Sequence, residues 1–417
     1  MTSTTEINAL IRAAKEKAIL ETNDEPEPKM SGEHEWPIKD AAIGKGLEGA
    51  PACDTRVGYV NGAKGWLIYR GFNIFDLAEH STYEETAFAL LFGHLPTHAE
   101  MDGFKAKLAR YAPMSPETRR ILDFVPTARA HPMSTLRTCV SVQGSLDPRA
   151  DDTTVENETE ISIKLIAQMA TMTGAITRIR KGKPPLDPDP TLSHAGNLLY
   201  MMTGERPDPV LERSMDISLI LHADHGMNAS TFTTMVVNSS LSDMYGSVVA
   251  GIASLKGPLH GGANEKVLYD LEEIGSPDNV ESWFKKAMET KRKVMGFGHR
   301  VYKAYDPRAR IFGPLAGVLA DCDPDTKRLY QVAAKLDGVV CSQLGEKKIF
   351  PNVDFYSGLI YKAMGIETAM FTPIFAVSRI AGWTARALEY LQDNRIFRPR
   401  AIYVGPISVP YVPMEKR

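Results

Sequence analysis

The chain has 417 residues, beyond the size at which a single hydrophobic core usually stops growing, so two lobes with a cleft between them are expected. Hydrophobic residues at 43% and charged residues at 24% describe an ordinary globular protein, and a formal net charge of -3 excludes the basic surface that a sequence-independent grip on nucleic acid needs. No apolar run reaches the roughly 18 residues of a spanning helix. Small molecules are therefore the expected partners, with neither nucleic acid nor membrane.

From Glu6 to Leu20, Ile7, Leu10, Ile11, Ala14 and Ala18 recur at helical spacing and predict an N-terminal helix; Glu21 to Glu35 then run acidic and Pro-containing, without apolar period, as a loose tether. Glu6, Glu16 and Glu21 are unlike an acid-poor transit peptide. Cys53, Cys139, Cys322 and Cys341 are far apart and form no CxxC pair, so reduced thiols and a cytoplasmic location are expected. Arg56 to Val60 and Trp66 to Arg70 flank an Asn61-Gly62 turn signal and predict a small β-hairpin. After it strand signals are scarce, helical periodicity recurs, and the fold class is mostly α.

Four later segments hold the residues with chemical potential. In LHADHGMNAST, His222 and His225 lie three apart, on one face if helical; with Asp224 they are a loose candidate for a metal-dependent hydrolase, although no third and fourth ligand is evident. GPLHGGANE stops one helix at Gly257-Pro258 and starts another, with Asn264 a candidate cap and Val267, Leu268, Leu271 and Ile274 the apolar face. His260 stands on that bend, where a nearby helix N-terminus disfavours imidazolium and leaves a neutral donor. A structural histidine in a tight turn would read the same way.

MGFGHRVYKAYDPR sets His299 between Gly298 and a helix start at which Asp306 is the cap and Pro307 the first helical residue. Arg308 then falls in the first turn, where a cation opposes the helix dipole and so points to an anionic partner or a surface ion pair. Gly296 and Gly298 lack the third glycine and the preceding strand of a dinucleotide fingerprint. In NVDFYSG, Asp354 opens an amphipathic helix bearing Tyr356, Leu359, Ile360, Ala363 and Met364. As a helix-terminal carboxylate its pKa would fall; as a base it would need burial among apolar groups.

Taken in order, these four segments resemble citrate synthase, especially its bacterial forms. The likeness extends from about Gly46 in KGLEGAPA, through YRGF at Tyr69 to Phe72, to RPR at Arg398 to Arg400, and leaves the residues before about Lys45 outside it. It implies a helical homodimer whose chain divides into an N-terminal helix and tether (1–45), a large helical domain (46–262), a small helical domain (263–361), and a return to the large domain with a C-terminal arm (362–417). By position, His260, His299 and Asp354 match the family's catalytic residues. His225, His299, Arg308, Arg379 in VSRIAGW and Arg398 in FRPR match its oxaloacetate contacts, Arg398 reaching the partner subunit's site; Lys303 matches a basic coenzyme A contact.

The implied activity condenses acetyl-CoA with oxaloacetate and hydrolyses citryl-CoA, with no metal and no cofactor beyond the acetyl-CoA substrate. The nearest relative by this resemblance is 2-methylcitrate synthase, which uses propionyl-CoA and often carries Tyr where this chain has His222. A catalytically silent helical binding protein is the remaining alternative.

Overall fold

The computed structural model describes residues 3–21, 45–399 and 412–417. The predicted tether beyond Glu21, and residues 400–411 of the C-terminal arm with Arg400 of the RPR motif, lie outside these residues. Helix α1 (Thr4–Leu20) opens on a capping box, in which the Ser3 side chain accepts from the Glu6 N–H and the Glu6 carboxylate accepts from the Ser3 N–H. Ile7, Ile11 and Ala14 are its buried stripe, as the spacing predicts.

A three-stranded antiparallel sheet follows, β1 (Gly58–Asn61), β2 (Trp66–Tyr69) and β3 (Phe72–Asn73), in the order β1-β2-β3. The hairpin forms where expected, but its turn is not the two-residue Asn-Gly type. Asn61 pairs with Trp66, and its Oδ1 accepts the N–H groups of Ala63 and Lys64 at 3.1 and 3.0 Å. The left-handed position is Gly65, at φ 65°.

Beyond the sheet the chain is helical: α2 (Ile74–His80), α3 (Tyr83–Phe92), α4 (His98–Tyr111), α5 (Pro116–Phe124), α6 (Pro132–Leu146), α7 (Val155–Arg180), α8 (His194–Thr203), α9 (Pro209–His222), α10 (Ala229–Asn238) and α11 (Met244–Leu255). Then come α12 (Ala263–Ile274), α13 (Val280–Glu289), α14 (Pro307–Leu319), α15 (Pro324–Leu344), α16 (Val353–Ala363) and α17 (Phe371–Leu391). The mostly α class read from sequence is the observed one.

Two helices are buried around nearly their whole circumference, α7 and α17, which pack on one another and gather α3, α9, α10 and α11 about them. A helix buried on every side normally carries few charges. Yet α17 buries Arg379 and Arg386, 1% and 2% exposed, two turns apart on one face. Among the later helices, α14 and α12 both pack on α16, and α13 and α16 on α15.

One cap is not as predicted. Helix α12 has Gly262 at its N-cap and no side-chain cap, while Asn264 sits inside the first turn, fully buried, with neither side-chain polar atom partnered. The helix already begins at Ala263, so Asn264 is its second residue rather than the flanking residue whose side chain could cap it. Val267, Leu268, Leu271 and Ile274 are all buried, as the periodicity requires.

Candidate active site

Helix α14 begins as its sequence predicts: Pro307 is in the first turn and the Asp306 side chain accepts from the Arg308 N–H at 2.9 Å. The same carboxylate takes the Arg308 guanidinium in two bonds, Nε to Oδ1 at 3.0 Å and Nη2 to Oδ2 at 2.8 Å. Burial works against the Arg308 charge, but the Asp306 carboxylate overrides it and holds the guanidinium firmly protonated. Both residues are within 2% of complete burial.

His299 lies in the loop before α14. The backbone N–H groups of Val301 and Tyr302 donate to its Nδ1 at 3.0 and 3.2 Å, which leaves the ring hydrogen on Nε2. Burial, with Arg308 and Lys303 nearby, outweighs Asp306 and brings the imidazole down to about 4, so it is neutral at physiological pH. That loop rests on the hairpin turn, where the Gly62 carbonyl accepts from the N–H groups of Lys303 and Ala304 at 2.8 and 3.2 Å. A Cβ at Gly62 would fall 1.9 Å from the Val301 carbonyl oxygen, so only glycine permits this approach.

His260 packs against the start of α10. Its Nε2 lies 3.3 Å from the Ser230 N–H and 2.8 Å from Ser230 Oγ, with Asn228 Oδ1 at 3.2 Å. Trp383 donates its indole N–H to Ser230 Oγ at 3.0 Å, and the Ser230 hydroxyl donates to Asn228 Oδ1 at 2.8 Å. Burial, then Arg379, lowers this histidine to about 4 as well.

Asp354 is the second residue of α16, whose cap is Asn352 rather than Asp354. Asn352 also donates to the Gly298 carbonyl at 3.0 Å, and its own N–H reaches the Gly296 carbonyl at 2.8 Å, which ties the start of α16 to the His299 loop. Asp354 Oδ1 is shielded from water and has no hydrogen-bond partner. Burial pushes the carboxyl up from 3.8 to about 7, against the pull of Arg308 and Arg379. The helix terminus alone would have moved it the other way.

Arg379 donates through Nε to the His222 carbonyl at 2.6 Å and enters none of the ion pairs found among the described residues. Burial weakens its charge to about 10. Asp224 acts on Arg379 only through space, without an ion pair, and a buried guanidinium fork bonded to no carboxylate has the chemistry to receive an anion. Arg308 and Arg379 both act on Asp354 and on His225, which ties these side chains to one cluster. His225 is 5.1 Å from His299 between ring centroids, and its Nε2 is 3.3 Å from the Tyr302 hydroxyl.

The metal-hydrolase alternative fails on geometry. Helix α9 ends at His222, so His222 and His225 share no helix face. His222 donates through Nδ1 to the Ser218 carbonyl at 2.9 Å and is packed between Phe312 and Phe375. Asp224 is committed to Arg386, Nε to Oδ1 and Nη2 to Oδ2, each 2.8 Å. Among the described residues no group of three or more His, Cys, Asp or Glu is arranged to hold a metal.

Two predicted residues are exposed rather than enclosed with the others, although Lys303 still acts on His299. Lys303 is exposed on the His299 loop, and Arg398 is exposed beyond α17, donating to the carbonyl of its neighbour Pro399 at 3.3 Å. A cavity lined in part by Glu84, His194 and Asp216 also lies elsewhere and shares no residue with the cluster. Sequence reasoning gave no role to Asn228, Ser230, Tyr302 or Arg386. Only Asn228 offered a local signal, as an Asn preceding a helix.

The family model described as citrate synthase, C-terminal domain, matches residues 46–400. The chain belongs to the citrate synthase family. A citrate synthase of Deinococcus radiodurans is 45% identical over 90% of this chain and 99% of its own length. The solved citrate synthase of Thermoplasma acidophilum, a ternary complex with carboxymethyl coenzyme A and oxaloacetate, superposes with a TM-score of 0.87 at 34% identity, over 91% of this chain and 100% of its own. A Bacillus subtilis relative named citrate/2-methylcitrate synthase is less similar, 37% identical over 87% of this chain and 96% of its own.

As a citrate synthase the chain is an acyltransferase: it joins the acetyl group of acetyl-CoA to oxaloacetate, the acyl group becoming alkyl on transfer, and hydrolyses citryl-CoA to citrate and CoA. The family's chemistry needs these two substrates and no cofactor. Among the described residues no helix is long and apolar enough to cross a membrane.

Proposed function

We propose that Asp354 takes the methyl proton of acetyl-CoA, His260 donates to the developing enolate oxygen, and His299 donates to the keto oxygen of oxaloacetate. A thioester methyl is a very weak acid, so base and enolate donor must act together. The unpartnered oxygen of Asp354, which shares Arg379 with neutral His260 and Arg308 with neutral His299, carries this reading. Raised to about 7, the carboxylate is a far stronger base than one at 3.8. A neutral imidazole donates without leaving a cation in an apolar site.

Arg379, unpaired, and Arg308, with one guanidinium nitrogen outside its fork to Asp306, receive the two oxaloacetate carboxylates, with His225 completing that end. Lys303, exposed on the same loop as His299, meets the coenzyme. Condensation gives citryl-CoA; movement of a small domain, residues 263–361, over a large one, residues 46–262 and 362–417, keeps water from acetyl-CoA until the carbon-carbon bond exists. In this reading the enzyme is a cytoplasmic homodimer and Arg398, too exposed to serve its own site, serves the partner's.

The test is free-thiol release from acetyl-CoA and oxaloacetate. Asp354→Ala is expected to lower turnover at least about 100-fold while oxaloacetate binding is kept; near-normal turnover refutes the role. Arg398→Ala should inactivate the enzyme and be partly rescued on subunit exchange with Asp354→Ala, because one hybrid site regains both groups. No rescue removes the shared site. Propionyl-CoA is expected to react more slowly, one methylene being worth about 1 to 3 kcal/mol.

A further inference from the structure

We propose that helix α1 is a clamp that positions the oxaloacetate end of the site, with Glu21 and Arg310 as its positioning residues. This helix precedes residues 46–400, which the family model matches. It is packed at once on α2 and α9 and on α14, the helix that carries Arg308. Ile7 and Ile11, each 1% exposed, are its apolar anchors.

Its polar contacts divide the same way. Arg12 Nε meets Glu79 at 3.2 Å and Lys15 pairs with Asp76, both acids on α2. At its C-terminal end Glu21 pairs with Arg310 on α14. Residues two apart on a helix point to nearly opposite sides, so Arg308 turns toward the site while Arg310 turns toward α1. One helix therefore holds the first turn of α14 against α2 and α9.

The hold reaches further than Arg308. The Arg310 guanidinium lies over the Tyr305 ring at 4.6 Å. The hydroxyls of Tyr305 and Tyr356 both donate to Asp337 Oδ2 at 2.7 Å, and Tyr356 is two residues beyond Asp354. Glu21, Arg310, Tyr305, Asp337 and Tyr356 thus link α1 to α14, α15 and α16. Releasing the clamp lowers the fraction of molecules in which α14 presents Arg308 correctly, and apparent oxaloacetate affinity falls by that fraction.

The proposal rests on Arg308 being an oxaloacetate residue, and steady-state kinetics of the full chain separate the two ideas. Ile7→Asp/Ile11→Asp, which undocks the helix, is expected to raise the oxaloacetate KM about tenfold, with kcat and the acetyl-CoA KM at saturating oxaloacetate changed less than about twofold. Glu21→Arg, at a half-exposed position that does not threaten folding, should raise the same KM about threefold, within the roughly fivefold reach of an exposed ion pair, and the effect should shrink at high salt.

An unchanged oxaloacetate KM in Glu21→Arg at low salt overturns the clamp, as does a fall in kcat alone, which reports lost enzyme rather than lost positioning. Arg308→Ala is the control. If it too leaves the oxaloacetate KM unchanged, the site reading beneath the clamp falls; if it alone raises that KM, only the clamp falls.

Discussion

Asp224, just after α9, and Asp354, at the start of α16, both lose water to packing, yet they titrate in opposite directions. Burial pushes Asp224 up, but Arg386, with Arg379 and the Gly226 N–H, outweighs it and holds the carboxyl below its usual range. No equivalent fork closes on Asp354, and it rises to about 7. The two arginines of α17 differ in the same way: Arg386 is forked to Asp224, whereas Arg379 makes no ion pair and bonds only the His222 carbonyl. Desolvation alone does not distinguish a structural group from a reactive one; the presence or absence of a committed partner does.

Breaking the structural side should have the largest effect. Arg386→Met leaves Asp224 charged, buried and unpaired, and is expected to cost about 3 to 5 kcal/mol in denaturant unfolding. A loss below about 1 kcal/mol would abolish the contrast. Arg379→Met should leave stability nearly unchanged, because no protein carboxylate is orphaned, while weakening oxaloacetate binding by at least about 30-fold, from roughly 2 kcal/mol or more per truncated charge contact. Calorimetric titration with oxaloacetate checks the second and unfolding the first.

The acid limb of kcat/KM sharpens the same comparison. It should bend near 7 and fall about tenfold per pH unit below that, following the ionised fraction of Asp354; a bend near 4 would mean that the carboxylate is solvated in the working enzyme. The smallest effect is on stability. The folded carboxyl keeps its proton to about 7 and the unfolded one releases it near 3.8, so between those values the folded state binds more protons and stability falls as pH rises. Asp354→Asn should therefore raise the melting temperature at pH 8 and lose that advantage below about pH 4.

Much of the site was legible in four short motifs. The cap at Asp306, Pro307 in the first turn of α14 and the placing of Asp354 at a helix start all depend on residues within one or two turns of each other, whereas the neutrality expected of His260 from a nearby helix end arises instead from burial and from Arg379. The same locality misled at Asn264, whose side chain had the right identity and spacing for a cap but is enclosed inside the first turn of α12. It also missed the longer hairpin turn, since Asn61 next to glycine is compatible with several loops.

What the amino-acid sequence by itself determined was the helical class, the family likeness and the identity of the groups that meet in the site, because periodicity, capping and motif spacing are written over short stretches of chain. The tertiary structure alone decided which of those groups are charged and which are partnered. Ser230 meets His260 across 30 residues, Asp224 meets Arg386 across 162, and Glu21 meets Arg310 across 289. Whether a carboxylate is a strut or a base depends on the water removed and the charges left beside it once distant helices pack.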